Sequence, residues 1–140
     1  NYITALLSKN SRNVAVLSRG YGRSTKGFLL VNETSKASEV GDEPLQAKLR
    51  FSTVTVAVCE DRVEGISQLL ETSPKPELIL MDDGFQHRWV KPSLNILVTS
   101  SGQPFWKNYL LPVGSLREGK RESKRAEVLV VSGLNLSHIH

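Results

Sequence analysis

At 140 residues and 15.5 kDa the chain has the length of one domain, enough to bury a core without disulfide or metal staples. A hydrophobic share of 39% and a charged share of 23% exclude disordered and collagen-like classes. The net charge of +4 favours anionic partners such as phosphates, nucleic acid or acidic lipid head groups, and the lone Cys59 excludes a disulfide framework and fits a reducing compartment.

The chain opens at Asn1 on Tyr2, Ile3, Leu6 and Leu7, a helical spacing with neither signal-peptide pattern nor cap before it, so it reads as a piece of something longer. Val14 to Leu17 reads as a buried strand ending in the turn Ser18-Arg19-Gly20-Tyr21-Gly22-Arg23, and Phe28 to Val31 as a second strand. Asn32 to Gly41 is polar and reads as a loop, leading to a short helix from Asp42 through Leu49. Val54, Val56 and Val58 alternate as a strand, and Val63, Ile66, Leu69 and Leu70 then recur on one helical face until Ser73-Pro74-Lys75-Pro76 stops the helix. Leu78 to Met81 reads as a strand buried on both faces, and Leu94 to Val98 and Val128 to Val131 as two more. Apolar strands alternating with helices predict an α/β fold, a parallel sheet flanked by helices, with one domain over residues 1–133 and a tail at 134–140. No apolar run approaches the ~20 residues of a membrane span. In such sheets ligands sit beyond the carboxyl ends of the strands.

Asp82-Asp83 follow Leu78-Ile79-Leu80-Met81 directly. A strand ending in carboxylates is the Walker B arrangement, which holds an acidic oxygen where Mg²⁺ bridges nucleotide phosphates; the alternative is an aspartate capping the next turn. Two adjacent carboxylates before Gly84-Phe85-Gln86-His87 favour the metal, because paired charges repel unless a cation or solvent relieves them. The glycines and arginines of the turn at 18–23 suit close approach to a phosphate, although many such turns are only solvated loops, and no GxxxxGK[ST] loop is present. Asp42 and Glu43 stand in the first turn of a helix, where acids favour the dipole; alternatively Asp42 is a general base for a substrate hydroxyl. The basic stretch Lys120, Arg121, Lys124 and Arg125 reads as a solvated face without the interleaved aromatics of a nucleic-acid surface, and Trp89 and Trp106 read as packing residues.

Together these segments resemble the tetraacyldisaccharide 4'-kinase family. The resemblance rests on Leu17 to Arg23, Val40-Gly41-Asp42-Glu43-Pro44, Asp61-Arg62-Val63, Asp82-Asp83-Gly84-Phe85-Gln86-His87, and Leu110-Leu111-Pro112-Val113-Gly114 with Leu116-Arg117-Glu118, in the family's order. It implies a P-loop NTPase-like core, ATP and Mg²⁺ as cofactors, and phosphorylation of the 4'-hydroxyl of the lipid A disaccharide precursor at the cytoplasmic face of the bacterial inner membrane. It further implies Asp42 as catalytic base, Asp82 and Asp83 as metal-site carboxylates, Arg117 and Arg19 on the nucleotide, and Glu43, Arg62, Gln86, His87 and Tyr21 on the substrate side.

The family's Walker A loop and membrane anchor are expected before Asn1, and its carboxyl-terminal domain, with a histidine that assists the catalytic aspartate, beyond this chain. The isolated piece is therefore expected to be soluble and inactive, and to meet the membrane only through segments it lacks. Ser115 stands where the family favours proline, and Leu134 to His140, with His138 and His140, depart from the family's continuation. No nucleic-acid partner is expected, and no protein partner is indicated. The alternatives are another P-loop-type NTPase, or a basic anion-binding module.

Overall fold

The computed structural model describes residues 2–9 and 13–133. They fall into two compact units, Asn1–Val90 and Lys91–His140. The tail expected at 134–140, with His138 and His140, lies outside the described residues.

The first unit runs α1 (Tyr2–Ser8), β1 (Val14–Ser18), β2 (Leu29–Leu30), α2 (Ala37–Val40), α3 (Asp42–Arg50), β3 (Thr55–Val58), α4 (Arg62–Leu70) and β4 (Leu78–Met81). Its sheet has the order β2-β3-β1-β4. The strand β1 is parallel to both neighbours, with Ala15 opposite Thr55 and Val14 opposite Leu78, while the short β2 pairs antiparallel with β3.

Successive side chains of a strand point to opposite faces, and here both faces are covered. Val14, Val16, Val56 and Val58 lie on one side with Val31 and Val40, against Leu7 of α1 and Leu45, Ala47 and Phe51 in and after α3. Ala15, Leu17, Ala57 and Cys59 lie on the other, against Ile66 and Leu69 of α4. Gly65 lets α4 approach: a Cβ there would stand 2.9 Å from both Leu17 methyls. Asp61 caps α4, its Oδ1 accepting from the Val63 amide at 2.8 Å and the Glu64 amide at 3.1 Å.

Two expectations need correction in this unit. The polar stretch 32–41 is not loop throughout, because Ala37–Val40 forms a helical turn held by Glu39 Oε2 accepting from the Lys36 amide at 3.2 Å and by the buried Val40. One apolar residue in four gives no periodicity to detect. Nor is β4 buried on both faces: all four residues are half-buried, because β4 has a sheet neighbour on one side only among the described residues.

In the second unit β5 (Ile96–Ser100) and β6 (Val128–Ser132) form a separate two-stranded parallel sheet, Ile96 opposite Val128 and Ser100 opposite Ser132. Between them lie two 3-10 turns, Phe105–Lys107 and Lys120–Arg125. Val98, Val128, Leu129 and Val130 are exposed. Trp106 meets Phe105 edge to face and is still 45% exposed, while Trp89, at the end of the first unit, is 91% exposed and does not pack as expected. Among the described residues no helix is long and apolar enough to cross a membrane.

Candidate functional site at the carboxyl ends of the central strands

Three parallel strands deliver their following residues to one edge of the sheet. Hydrogen bonding continues past the strands, the Cys59 amide donating to Ser18 O at 3.0 Å and the Asp82 amide to Leu17 O at 2.9 Å, so Arg19, Glu60 and Asp82 leave a common ladder. Asp82 and Asp83 are exposed, and Asp83 takes the left-handed conformation at φ 48° that starts the turn into Gly84. His87 closes that turn, its amide donating to Gly84 O at 3.0 Å.

Arg62, placed on the substrate side by the resemblance, is the buried member. As the first residue of α4 it is 2% exposed, and its guanidinium donates to Cys59 O at the end of β3 and to Asp82 O, at 3.4 Å, at the end of β4. Its Nε has no hydrogen-bond partner. Burial and then the charge of Arg19 hold this guanidinium below its ordinary value, while Asp83 and Asp82 oppose them. The imidazole of His87 is likewise held below its ordinary value, by burial, then by Arg62 and Arg19, against Asp83 and Asp61. Arg19, Asp61, Arg62, Asp82, Asp83 and His87 are thus one electrostatic group. Gln86 is exposed in the same turn.

The second pole of the site is the head of α3. Gly41 joins α2 to α3 with φ 92° and ψ 153°, a region that essentially only glycine occupies. A Cβ on Gly41 would stand 3.2 Å from Tyr21 O and 3.3 Å from the Gly20 backbone. The turn after β1 therefore lies directly on the residue before Asp42. Asp42 and Glu43 are exposed in the first turn of α3, and Tyr21 is 91% exposed. The segment Arg19-Gly20-Tyr21 links the two poles, its arginine in the field of Arg62 and His87 and its glycine against Gly41.

Arg117 belongs to the second unit, where it is exposed beside a tightly folded turn. The Leu116 amide donates to Tyr109 O at 3.0 Å, and a Cβ on Gly114 would stand 2.2 Å from that same oxygen, so glycine is required. Ser115 accepts from Asn108 Nδ2 at 2.6 Å. The basic stretch is partly consumed internally: Arg125 pairs with Glu118 and Glu122, and Lys120 donates to Trp106 O at 2.8 Å.

Among the described residues no group of three or more His, Cys, Asp or Glu side chains could cage a metal ion. An adjacent pair of exposed carboxylates at a strand end instead suits a hard cation that keeps its waters and shares phosphate oxygens, the way Mg²⁺ is held with nucleotides. Both arginines of the turn at 18–23 read as suited to phosphate, but the Arg23 guanidinium pairs instead with Glu60 across the loop beside this site, and residue identity does not single out Glu60. Arg23 closes the Ser18 to Arg23 motif, and Glu60 directly follows Cys59, which is the only sequence signal for either.

A helix-flanked parallel sheet with acidic residues and a glycine turn at its carboxyl edge defines an α/β core of the P-loop NTPase kind. The family model described as Tetraacyldisaccharide-1-P 4'-kinase matches residues 1–139, and the chain belongs to that family. A Cytophaga hutchinsonii protein named tetraacyldisaccharide 4'-kinase is 50% identical over 119 residues, covering 84% of this chain and 34% of that protein. A Flavobacterium psychrophilum protein of the same name is 46% identical over 131 residues, covering 94% and 38%. The chain thus spans little more than a third of the length of these curated relatives. A crystal structure of LpxK from Aquifex aeolicus in complex with ATP superposes with a TM-score of 0.81 at 40% identity, over 93% of this chain and 41% of that one.

Proposed function

We propose that this chain is the central segment of a tetraacyldisaccharide 4'-kinase, an ATP-dependent enzyme that phosphorylates the 4'-hydroxyl of the lipid A disaccharide precursor at the cytoplasmic face of the bacterial inner membrane. The observation that carries the reading is the family match over residues 1–139, which includes every strand-end motif of the site. The domain reading remains a partial kinase core over 1–133.

Asp42, exposed at a fixed helix start, takes the proton of the attacking hydroxyl as that oxygen bonds the transferred phosphorus and the bond to the departing diphosphate breaks. Asp82 and Asp83 would hold Mg²⁺, which when bound neutralises charge on the phosphate oxygens. Arg19 would serve the nucleotide phosphates as a forked donor, and the resemblance gives Arg117, in the second unit, the same role. Glu43, Gln86, His87 and Tyr21 contact the sugar phosphate acceptor, and Arg62 lies on the same side of the site. Burial together with the neighbouring Arg62 and Arg19 favours neutral His87, leaving one ring nitrogen able to accept.

The test is a segment exchange: this chain replaces the matching stretch of the Cytophaga hutchinsonii relative, and phosphate transfer from labelled ATP to the lipid precursor is followed. Activity in the exchanged enzyme is expected, Asp42→Asn should lower kcat by about 10²–10⁴-fold, and Asp82→Asn should remove the Mg²⁺-dependent rate. Full turnover in the Asp42→Asn enzyme would overturn the base assignment.

A further inference from the structure

We propose that Arg23, paired with Glu60, is a positioning residue that sets the place of Asp42 through the Gly20–Gly41 contact; the inference rests on the reading of Asp42 as general base. Arg23 lies outside the residues assigned above to nucleotide, metal or acceptor. Its side chain is 4% exposed although it is a cation on a surface loop. Burying a guanidinium is costly unless its donors are used, and here they are: it pairs with Glu60 and donates to Gly27 O at 2.7 Å and Thr25 Oγ1 at 3.3 Å. Glu60 in turn accepts from the Gly27 amide at 3.0 Å, so one carboxylate holds the second half of the loop that follows β1 at Arg23 and at Gly27.

The closed loop is fastened to the α2–α3 junction. The Ser24 amide and hydroxyl both donate to Ser38 O, at 2.8 and 2.9 Å, and the Thr25 hydroxyl donates to Glu39 O at 2.5 Å. The Arg23 stem covers Gly20 so closely that a Cβ there would stand 2.6 Å from Arg23 Cδ and 3.0 Å from Val40 O. The Gly20–Tyr21 backbone also meets Gly41. Asp42 is the next residue, and Gly41, fixed by its amide donating to Ala37 O at 2.7 Å, transmits the loop's position to it.

A continuous path therefore runs from Glu60, at the end of β3, through Arg23 and Gly20 to Gly41 and Asp42. A general base must lie within hydrogen-bond reach of its proton, and a displacement of about 1 Å can cost on the order of 10²-fold in rate. Lysine cannot replace Arg23, because a single ammonium does not span three acceptors spread over Thr25, Gly27 and Glu60.

The experiment is a double-mutant cycle in the segment-exchanged kinase, with Arg23→Met and Glu60→Ala each made beside Asp42 and beside Asp42→Asn. With Asp42 present, Arg23→Met should lower kcat by about 10²-fold and Glu60→Ala by about 10-fold, while the KM for ATP stays within about twofold. In the Asp42→Asn background either change should alter the residual single-turnover rate by less than about twofold, because the group being positioned is already gone. Equal losses in both backgrounds would overturn the inference and leave Arg23 a stabilising residue only. If Asp42→Asn retained full turnover, the base assignment would fall and the inference with it, a result distinct from the first. Glu60 is 44% exposed, so Glu60→Ala leaves the core intact and decides the matter even if Arg23→Met fails to fold.

Discussion

Substituting Gly41 by alanine tests the contact on which the placement of Asp42 depends. At φ 92° and ψ 153° a residue with a Cβ occupies a region that costs about 1–3 kcal/mol. The added Cβ also falls 3.2 Å from Tyr21 O and 3.3 Å from two Gly20 backbone atoms, which cannot rotate away as a side chain could. Overpacking of this kind costs about 1–3 kcal/mol more, and the lower entropy of alanine in the unfolded chain returns about 0.4–1 kcal/mol. The net expectation is a loss of about 1–5.6 kcal/mol. Gly22 supplies the control, because it too has a positive φ, 76°, but a Cβ there meets nothing within 4 Å. Gly22→Ala should therefore cost about 0–1.6 kcal/mol, the left-handed strain less the same entropy return. Urea unfolding of the two variants, followed by circular dichroism with m held common, separates the close approach from the backbone strain. If Gly41→Ala were no more destabilising than Gly22→Ala, the loop would not rest on the head of α3 and the path to Asp42 would be broken.

Three further outcomes follow from the same edge of the sheet. Arg62→Met leaves Cys59 O and Asp82 O without their donor, and should cost about 1–3 kcal/mol in the same urea assay; Arg62→Lys should recover little of it, since an ammonium does not reproduce the two-pronged reach. Stability should fall on acidification in two windows. His87 is held below its ordinary 6.5, so the unfolded chain binds its proton first and stability present above pH 6.5 declines as pH drops toward the depressed folded value; His87→Gln should flatten that window. Glu60, held below 4.5 chiefly by the Gly27 amide, gives a second decline below pH 4.5 that Glu60→Gln should remove. Cys59 is fully buried and burial pushes its thiol up, so an aromatic disulfide reagent should label it only at the rate of unfolding, and fast labelling in native buffer would contradict the burial.

The sequence made the central sheet legible because β1 and β3 are covered on both faces by helices, and covered strands are apolar at nearly every position, as here at all but Ser18 and Thr55. Among the described residues β4 has one sheet neighbour and carries the same apolar run while half-buried, so its composition could not reveal how many neighbours it has. The four-residue α2 carries one buried side chain and is held by a local hydrogen bond, which leaves no period to detect. At the site, the carboxylates after β4 were legible because a strand end is a position in sequence as well as in space. The Gly20–Gly41 approach and the Arg23–Glu60 pair were not, because each joins segments far apart along the chain whose separation only the sheet order sets. The burial of Arg62 was hidden for a different reason. Asp61, by capping α4, fixes Arg62 as its first residue, and only the neighbouring strand ends supply the carbonyls that make a buried guanidinium tolerable.

That burial explains how the charges of the edge are divided. Asp42, Asp82 and Asp83 all stay exposed, where a carboxylate keeps its water and bears no large desolvation cost before a ligand arrives. The charge taken out of solvent is a guanidinium, whose delocalised and weakly hydrated cation is the least costly one to bury and whose donors can serve two carbonyls at once. Arg62 then places a fixed positive charge beneath the acidic pair and ties the Asp82 peptide to the end of β3. Reversing the arrangement, with buried aspartates and a solvent-exposed arginine, would favour the neutral form of the carboxyl groups and act against the Mg²⁺ role proposed for Asp82 and Asp83. The fold thus keeps the acidic pair in solvent and in place at the same time: Asp82 and Asp83 stand exposed, and the buried arginine together with the left-handed turn at Asp83 fixes where they stand.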